Sequence, residues 1–211
     1  MKKAFAVIFS VLFLDQLIKI WVKTSFHMDE ARTVIPGVFR LFFIENNGMA
    51  FGMELGGDWG KLFLSLFRVA AVIVIGYYLW GLVKKNASTL LIVCISLIFA
   101  GAIGNILDSI FYGKIFSASC GNPWLINRPC DDVARMFPAE GGYGRWFHGQ
   151  VVDMFQFTVR WPKWVPRLGG RYIFAAIFNL ADAAISIGVI LLIIFNKRLF
   201  GKKKEDTVVP A

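Results

Sequence analysis

The segment from Tyr172 to Phe195 most constrains what this chain can fold into. It is twenty-four residues long and almost entirely apolar, yet it contains Asn179 and Asp182. A helix of this length, rising about 1.5 Å per residue, can cross a hydrocarbon core of about 30 Å. At spacing i and i+3 the two polar residues share one helix face, which Ala175 and Ser186 continue as a small polar stripe. A carboxylate at such depth costs about 2.5–3.5 kcal/mol, so it predicts a functional site.

Three further apolar segments bring the predicted number of membrane helices to four. The predicted helices cover about residues 4–22, 62–83, 90–112 and 172–195. We interpret the first as retained rather than as a cleaved signal peptide, because Asp15 and Lys19 interrupt it and no small-x-small cleavage site follows. Composition agrees, since 57% of the 211 residues are hydrophobic against about 45–50% in soluble domains. We therefore expect a mainly α integral membrane protein with one domain over residues 1–211.

Cations next to the apolar segments predict the orientation of the chain. They lie at the N-terminus, between the second and third segments, and after the fourth: Lys2, Lys3, Lys84, Lys85, Lys197, Arg198 and Lys202 to Lys204. We expect this side, with both termini, to be cytoplasmic. The long loop before the fourth segment carries cations too, but the charge bias weakens for such loops, and we expect them to meet phospholipid headgroups. The net charge of +9 comes without a nucleic-acid-binding fingerprint, so we expect no nucleic-acid partner.

The outer loops contain two segments that predict a small β-sheet. Residues 38–53 are aromatic and β-branched around Asn47 and Gly48, which predicts a strand, a turn and a return strand. Residues 151–161 alternate as a strand does, with Asp153 on the apolar face. Residues 117–148 form an aperiodic loop insertion. It contains Cys120 and Cys130. They form a disulfide if the loop faces an oxidising compartment and are otherwise free thiols.

The polar residues of the four predicted helices all lie at one depth, near the outer ends. They are Asp15, Lys19, Arg68, Asn105, Asp108, Asn179 and Asp182. Asp153 lies just above that depth. If it meets Asp182, the two charges repel by about 4 kcal/mol at about 4 Å and an effective dielectric of about 20, so one carboxyl holds a proton. The ionised carboxylate can then take a proton from water while the protonated one polarises a carbonyl, which is aspartic-protease chemistry.

Five motifs resemble those of the lipoprotein signal peptidase (signal peptidase II) family, in order and over nearly the whole chain. They are Asp15-Gln16-x-x-Lys19, Asn46-Asn47-Gly48-Met49-Ala50-Phe51-Gly52, Gly101-Ala102-Ile103-Gly104-Asn105-x-x-Asp108, Val151-Val152-Asp153 and Phe178-Asn179-x-Ala181-Asp182. The resemblance implies an aspartic endopeptidase of the bacterial inner membrane with Asp153 and Asp182 as its catalytic pair. It implies a substrate pocket formed by Asn46, Gly48, Asn105, Asp108 and Asn179. The implied substrate is a lipidated prolipoprotein, cut just before a diacylglyceryl-modified cysteine, with no metal or cofactor.

Several interpretations stay open beside this resemblance. Asp15 and Lys19, spaced i and i+4, are most simply an inward salt bridge that supports the site. Asn105 and Asn179 serve either helix packing or the pocket, and Asp108 is interpreted as structural or pocket-forming. The family usually has Arg where this chain has Ser109, so a neighbouring base, either Arg68, Arg145 or Arg171, takes over that role or the role is missing. We expect a monomer; the alternative functions are a small proton-coupled transporter and a non-enzymatic assembly factor.

Overall fold

The computed structural model describes residues 1–47, 57–123, 125 and 129–200. Among these residues, three helical segments are long and apolar enough to cross a membrane. They are Lys2–Lys23 (α1), the apolar part of Gly57–Lys84 (α2), and Thr89–Leu107 (α3) with its continuation through a π-helical turn, Asp108–Tyr112, into Gly113–Ile115 (α4). Two shorter helices, Leu180–Ile194 (α5) and Asn196–Phe200 (α6), follow near the end of the described chain.

A four-stranded antiparallel sheet joins the helices. Its strands are Ala31–Ile35 (β1), Phe39–Asn46 (β2), Val151–Phe157 (β5) and Ile177–Phe178 (β6), in the order β1-β2-β5-β6. Two short parallel strands, Ala118–Ser119 (β3) and Cys130–Asp131 (β4), lie inside the insertion. Apolar residues from α1, β2, β5 and the insertion form a buried core beside the sheet, which includes Val22, Phe43, Phe116 and Met154.

The predicted strands correspond to β2 and β5, with different limits. β2 covers Phe39–Asn46, and the predicted turn at Gly48 and return strand at 50–53 lie outside the described residues. β5 ends at Phe157 rather than at residue 161, and beyond it Arg160 forms only an isolated bridge with Tyr172. β1 was not predicted. Its five residues are all exposed, so they carry no apolar alternation to mark a half-buried strand.

The predicted fourth helix at 172–195 is wrong in its first third. The helix begins at Leu180, and Ile177–Phe178 before it is extended and pairs with β5. Asn179 is the N-cap of α5. Its side chain accepts a hydrogen bond from the first turn of the helix, and the residue does not lie within the helix. The predicted face shared by Ala175, Asn179 and Ser186 therefore does not exist, because the helix has not started at Ala175.

α3 is the central helix, and it contacts α1, α2 and α5. Two glycines allow this close packing. A Cβ on Gly101 would lie 2.3 Å from the Ala181 carbonyl oxygen, and one on Gly104 would lie 2.8 Å from Oδ2 of Asp15. The C-terminal end of α3 therefore lies against both α1 and the first turn of α5, where the polar residues of all three helices come together.

Candidate active site

The first turn of α5 is fixed by a reciprocal capping box. The Oδ1 atom of Asn179 accepts a hydrogen bond from the Asp182 backbone N–H at 2.9 Å, and Oδ2 of Asp182 accepts from the Asn179 backbone N–H at 3.2 Å. Hydrogen bonds to the backbone, and not only packing, therefore fix the positions of both side chains. The Asn179 amide nitrogen still has its hydrogens to donate to other groups.

Asn179 links the two candidate catalytic carboxyls. Its Nδ2 donates to Oδ1 of Asp153 at 2.7 Å, while its cap bonds hold Asp182. Asp153 lies in β5 opposite Ile44, and the Asn46 amide donates to its other oxygen, Oδ2. The Asn105 amide donates to Oδ1 of Asp182 at 2.7 Å. Two acids that lie almost thirty residues apart in sequence are thus joined through one asparagine, and each has a further amide donor.

The surroundings of Asp153 favour its protonated form. The residue is 3% exposed. Burial raises the pKa of its carboxyl well above the ordinary value, and the charge of Asp182 raises it further. The positive charge of Lys19 and the hydrogen bond from Asn179 act in the opposite direction but are smaller.

Lys19 is the centre of a buried polar group next to this pair. Its Nζ lies 3.0 Å from Oδ2 of Asp15 and 2.8 Å from Oδ2 of Asp108. It also donates to Oδ1 of Asn105 at 2.9 Å. The inward salt bridge expected between Asp15 and Lys19 is present, and Asp108 joins it. Two carboxyl groups therefore share one ammonium beside the aspartate pair.

The two supporting carboxylates hold the backbone next to each candidate catalytic residue. Oδ1 of Asp15 accepts from the backbone N–H of Ala181 at 2.9 Å. Oδ2 of Asp108 accepts from the backbone N–H of Val152 at 3.3 Å. Ala181 precedes Asp182 and Val152 precedes Asp153. Asp108 therefore has a structural contact with the site, while Asn105 contacts both Lys19 and Asp182.

Two further residues at the site were not assigned a role from the sequence. The Gln16 amide donates to Oδ1 of Asp108 at 3.0 Å and to Oδ2 of Asp15 at 3.1 Å. The Tyr112 hydroxyl donates to the Gln16 side-chain oxygen at 3.2 Å. Gln16 is polar within an apolar segment and belongs to the first motif, which is the signal that would have identified it. Tyr112 has no such signal.

Ser109 occupies the position where the family usually has Arg. Ser109 is buried, and its hydroxyl donates to the Asn105 carbonyl oxygen at 3.1 Å. The Arg68 guanidinium on α2 lies within electrostatic range of both Asp153 and Asp182. Gly48, expected in the pocket, and Met49 lie outside the described residues. Within the described part of the chain, no group of three His, Cys, Asp or Glu side chains could hold a metal ion.

Two linked carboxyls at one end of a buried polar cluster, in a chain with helices apolar enough to cross a membrane, are the arrangement expected of a membrane-embedded aspartic peptidase. A family model described as signal peptidase (SPase) II matches residues 7–197. The chain therefore belongs to the signal peptidase II family.

Relatives and solved structures agree with this assignment. The lipoprotein signal peptidase of Porphyromonas gingivalis is 48% identical over 209 residues, covering 94% of this chain and 86% of that protein. The lipoprotein signal peptidase of Amoebophilus asiaticus is 37% identical over 203 residues, covering 93% and 78%. A bacterial membrane enzyme structure determined by the in meso method at 1.9 Å resolution has a TM-score of 0.59 and 25% identity, covering 96% of both chains.

Proposed function

We propose that this protein is an endopeptidase that removes the signal peptide from bacterial prolipoproteins just before a diacylglyceryl-modified cysteine. The observation that carries the proposal is the link between Asp153 and Asp182 through Asn179. Membership of the signal peptidase II family supports the substrate class. Asn46, Asn105 and Asn179, together with Gly48 and Asp108, shape the pocket.

In the proposed mechanism Asp153 carries the shared proton and Asp182 is ionised. Burial favours the protonated form of Asp153. Asp182 lies in the first turn of α5, where the helix dipole and two N–H donors favour a negative charge. Arg68 supplies a positive charge near both carboxyls, in the role of the Arg that the family has at the position of Ser109.

The proton movements of the reaction balance between the two acids. Asp182 takes one proton from a water molecule, whose oxygen attacks the scissile carbonyl carbon. Asp153 donates its proton to the carbonyl oxygen, which gives a neutral gem-diol. Asp153 then takes a proton back from a hydroxyl of the gem-diol as the C–N bond breaks, and Asp182 gives its proton to the leaving amine. The pair ends in its starting protonation state.

The proposed setting is the bacterial inner membrane, with four spans, both termini in the cytoplasm and the site near the outer leaflet. α5 is the fourth span in this proposal. The disulfide between Cys120 and Cys130 supports an outer location for the insertion, because disulfides persist mainly outside the reducing cytoplasm. The protein acts as a monomer, and its partners are the lipidated precursor and membrane phospholipids.

The proposal is tested with purified protein in detergent and a lipidated precursor peptide. Asp153→Asn and Asp182→Asn are each expected to reduce kcat by at least about a thousandfold, because each removes one proton carrier. Glu140→Gln, which changes an exposed acid of the insertion, is the control and should behave as wild type. Full activity in either Asp variant would remove that residue from the mechanism. No cleavage by the wild-type protein would favour a transporter or an assembly factor.

A further inference from the structure

A second buried polar cluster lies where the insertion meets α1 and the sheet. Its centre is an ion pair between Lys23, at the end of α1, and Oε1 of Glu45 in β2. The other carboxylate oxygen of Glu45 accepts from the Asn122 amide at 2.7 Å. None of the three side chains is appreciably exposed. We call Lys23, Glu45, Asn122 and Gln150 the Lys23 cluster.

The Lys23 cluster connects the two strands that carry the candidate site. The Asn122 amide lies 2.6 Å from Oε1 of Gln150, which immediately precedes β5. The Gln150 amide donates in turn to Oδ1 of Asn47, just after β2, at 3.3 Å. Glu45 is next to Asn46, whose amide donates to Asp153. The cluster thus fixes β2 and β5 within three residues of the bond between Asn46 and Asp153.

The insertion supplies further contacts to the cluster. Lys23 Nζ lies 3.5 Å from the Ser119 hydroxyl oxygen and 5.2 Å from the centre of the Tyr143 ring. The Tyr143 hydroxyl oxygen accepts from the Gln150 backbone N–H at 2.7 Å. Ser119 and Asn122 lie on either side of Cys120, whose disulfide to Cys130 closes this part of the insertion. The disulfide therefore restrains the residues that hold Glu45.

Stability alone does not explain a buried pair of this kind. Removing Lys and Glu from water is costly, and apolar residues of similar volume often fill such a site with equal or greater stability. An ion pair with directed hydrogen bonds does fix the relative positions of the segments that carry it. The Lys23 cluster fixes the C-terminal end of β2, where Glu45 adjoins Asn46.

We propose that the Lys23 cluster is a positioning device for the aspartate pair. It holds the ends of β2 and β5 so that the Asn46 amide stays on Asp153, and the disulfide-closed insertion is a working part of the site. Lys23, Glu45, Asn122 and Gln150 are positioning residues that do not contact the reacting atoms. This inference rests on the proposed function.

The test is Asn122→Ala, which removes the bond from the insertion to Glu45. We expect kcat to fall about ten- to a hundredfold with KM changed less than about twofold, because the reacting groups are misplaced while substrate contacts remain. The alkaline limb of the kcat profile should also move to higher pH, because a weaker bond from Asn46 favours protonated Asp153. The other charges near Asp153 are Asp182, Lys19, Asp108 and Arg68, none of which is altered. Glu140→Ala, an exposed residue of the same insertion, is the control.

Two further measurements keep the inference testable if Asn122→Ala does not fold. The double variant Cys120→Ser with Cys130→Ser should also lower kcat at nearly constant KM. Lys23→Arg should retain more activity than Lys23→Met, because it keeps the charge beside Glu45. Folded variants with the wild-type kcat and pH profile would overturn the inference, as would a kcat loss that follows thermal stability with no change in the profile. A wild-type protein that cleaves no precursor would refute the proposed function instead.

Discussion

Asn179 uses one short side chain for two purposes that usually need separate residues. Its oxygen caps α5 and its amide nitrogen donates to Asp153. The capping geometry fixes the direction of the amide, so the bond to Asp153 is set by the start of the helix. The position of the carboxyl pair is therefore coupled to helix capping at the level of a single residue.

Replacing Asn179 by alanine should affect stability and catalysis separately. Loss of an N-cap costs about 0.5–2 kcal/mol of unfolding free energy, and loss of the bond to Asp153 should reduce kcat further. Ser88→Ala is the matched control, since the Ser88 hydroxyl caps α3 by accepting from the Leu91 backbone N–H, far from the pair. Thermal melts in detergent and kcat are measured for both variants. Equal activity in the two would show that Asn179 acts only as a cap.

The raised pKa of Asp153 gives the pH dependence a definite sign. The proposed mechanism requires one proton on the pair, so the rate should fall at acid pH as the pair takes up a second proton and at alkaline pH as Asp153 is deprotonated. Since burial and Asp182 raise the pKa of Asp153, the alkaline limb should lie well above the ordinary range for a carboxyl. Asn46→Ala removes a donor to the Asp153 carboxylate and should move this limb higher still. A kcat profile that is flat across acid and neutral pH would contradict the shared proton.

The sequence predicted which polar side chains lie at the site better than how they are connected. Asp15, Lys19, Asn105 and Asp108 stood out because polar groups within apolar segments are costly, and the structure brings them together. Their bonds to the backbone N–H groups of Ala181 and Val152 depend on how separate segments pack. Spacing along one segment carries no information about such contacts.

The contact between α3 and α5 depends on the absence of a side chain at Gly101. Gly101→Ala would place a Cβ 2.3 Å from the Ala181 carbonyl oxygen, so the helices must separate. We expect a loss of about 1–3 kcal/mol of unfolding free energy, with reduced kcat because Ala181 adjoins Asp182. Gly81→Ala in α2 is the control, since its Cβ would have open space and alanine favours a helix by about 1 kcal/mol. Equal melting temperatures for the two variants would contradict this packing argument.

The predicted fourth helix begins eight residues too early because an apolar run alone does not reveal where a helix starts. Residues 172–179 are as apolar as the helix that follows, and hydropathy does not distinguish a helix from an extended aromatic segment. Pairing with β5 determines that this segment is extended. The backbone of β6 forms its hydrogen bonds with β5, and Phe174 and Phe178 pack with Phe157 of that strand. Asn179 marks the start of the helix as its N-cap, but its place inside an apolar run favoured the helical interpretation.

For the whole molecule, the proposed orientation can be tested by labelling. Glu140→Cys, in the exposed part of the insertion, should react with a membrane-impermeant maleimide on intact spheroplasts. Lys85→Cys, in the loop between α2 and α3, should react only after the membrane is opened. The wild-type chain is the blank, because Cys94 is buried and Cys120 and Cys130 are bonded to each other. The reverse labelling pattern would place the candidate site on the cytoplasmic side.

For the molecule as a whole, the sequence predicted the helix-and-sheet architecture but not the contacts of the insertion. Lys23 and Glu45 each lie at the end of an apolar segment, where charged residues ordinarily face water, yet both are buried. Three residues of the insertion, Ser119, Asn122 and Tyr143, contact these two side chains. An aperiodic segment gives no sign of what it covers, so this part of the fold could not be derived from pattern.

The length of α5 has a consequence for the bilayer around the protein. Its fifteen residues rise only about 22 Å, less than a hydrocarbon core of about 30 Å. The exposed apolar side chains of Ile173 and Phe174 extend this surface beyond the helix, on backbone that is not helical. In the proposed arrangement, with α5 as the fourth span, the bilayer beside this surface must thin locally to match its length, at a cost of a fraction of a kcal/mol per Å of mismatch. Short-chain lipids should therefore raise the melting temperature of the reconstituted protein above that in long-chain lipids.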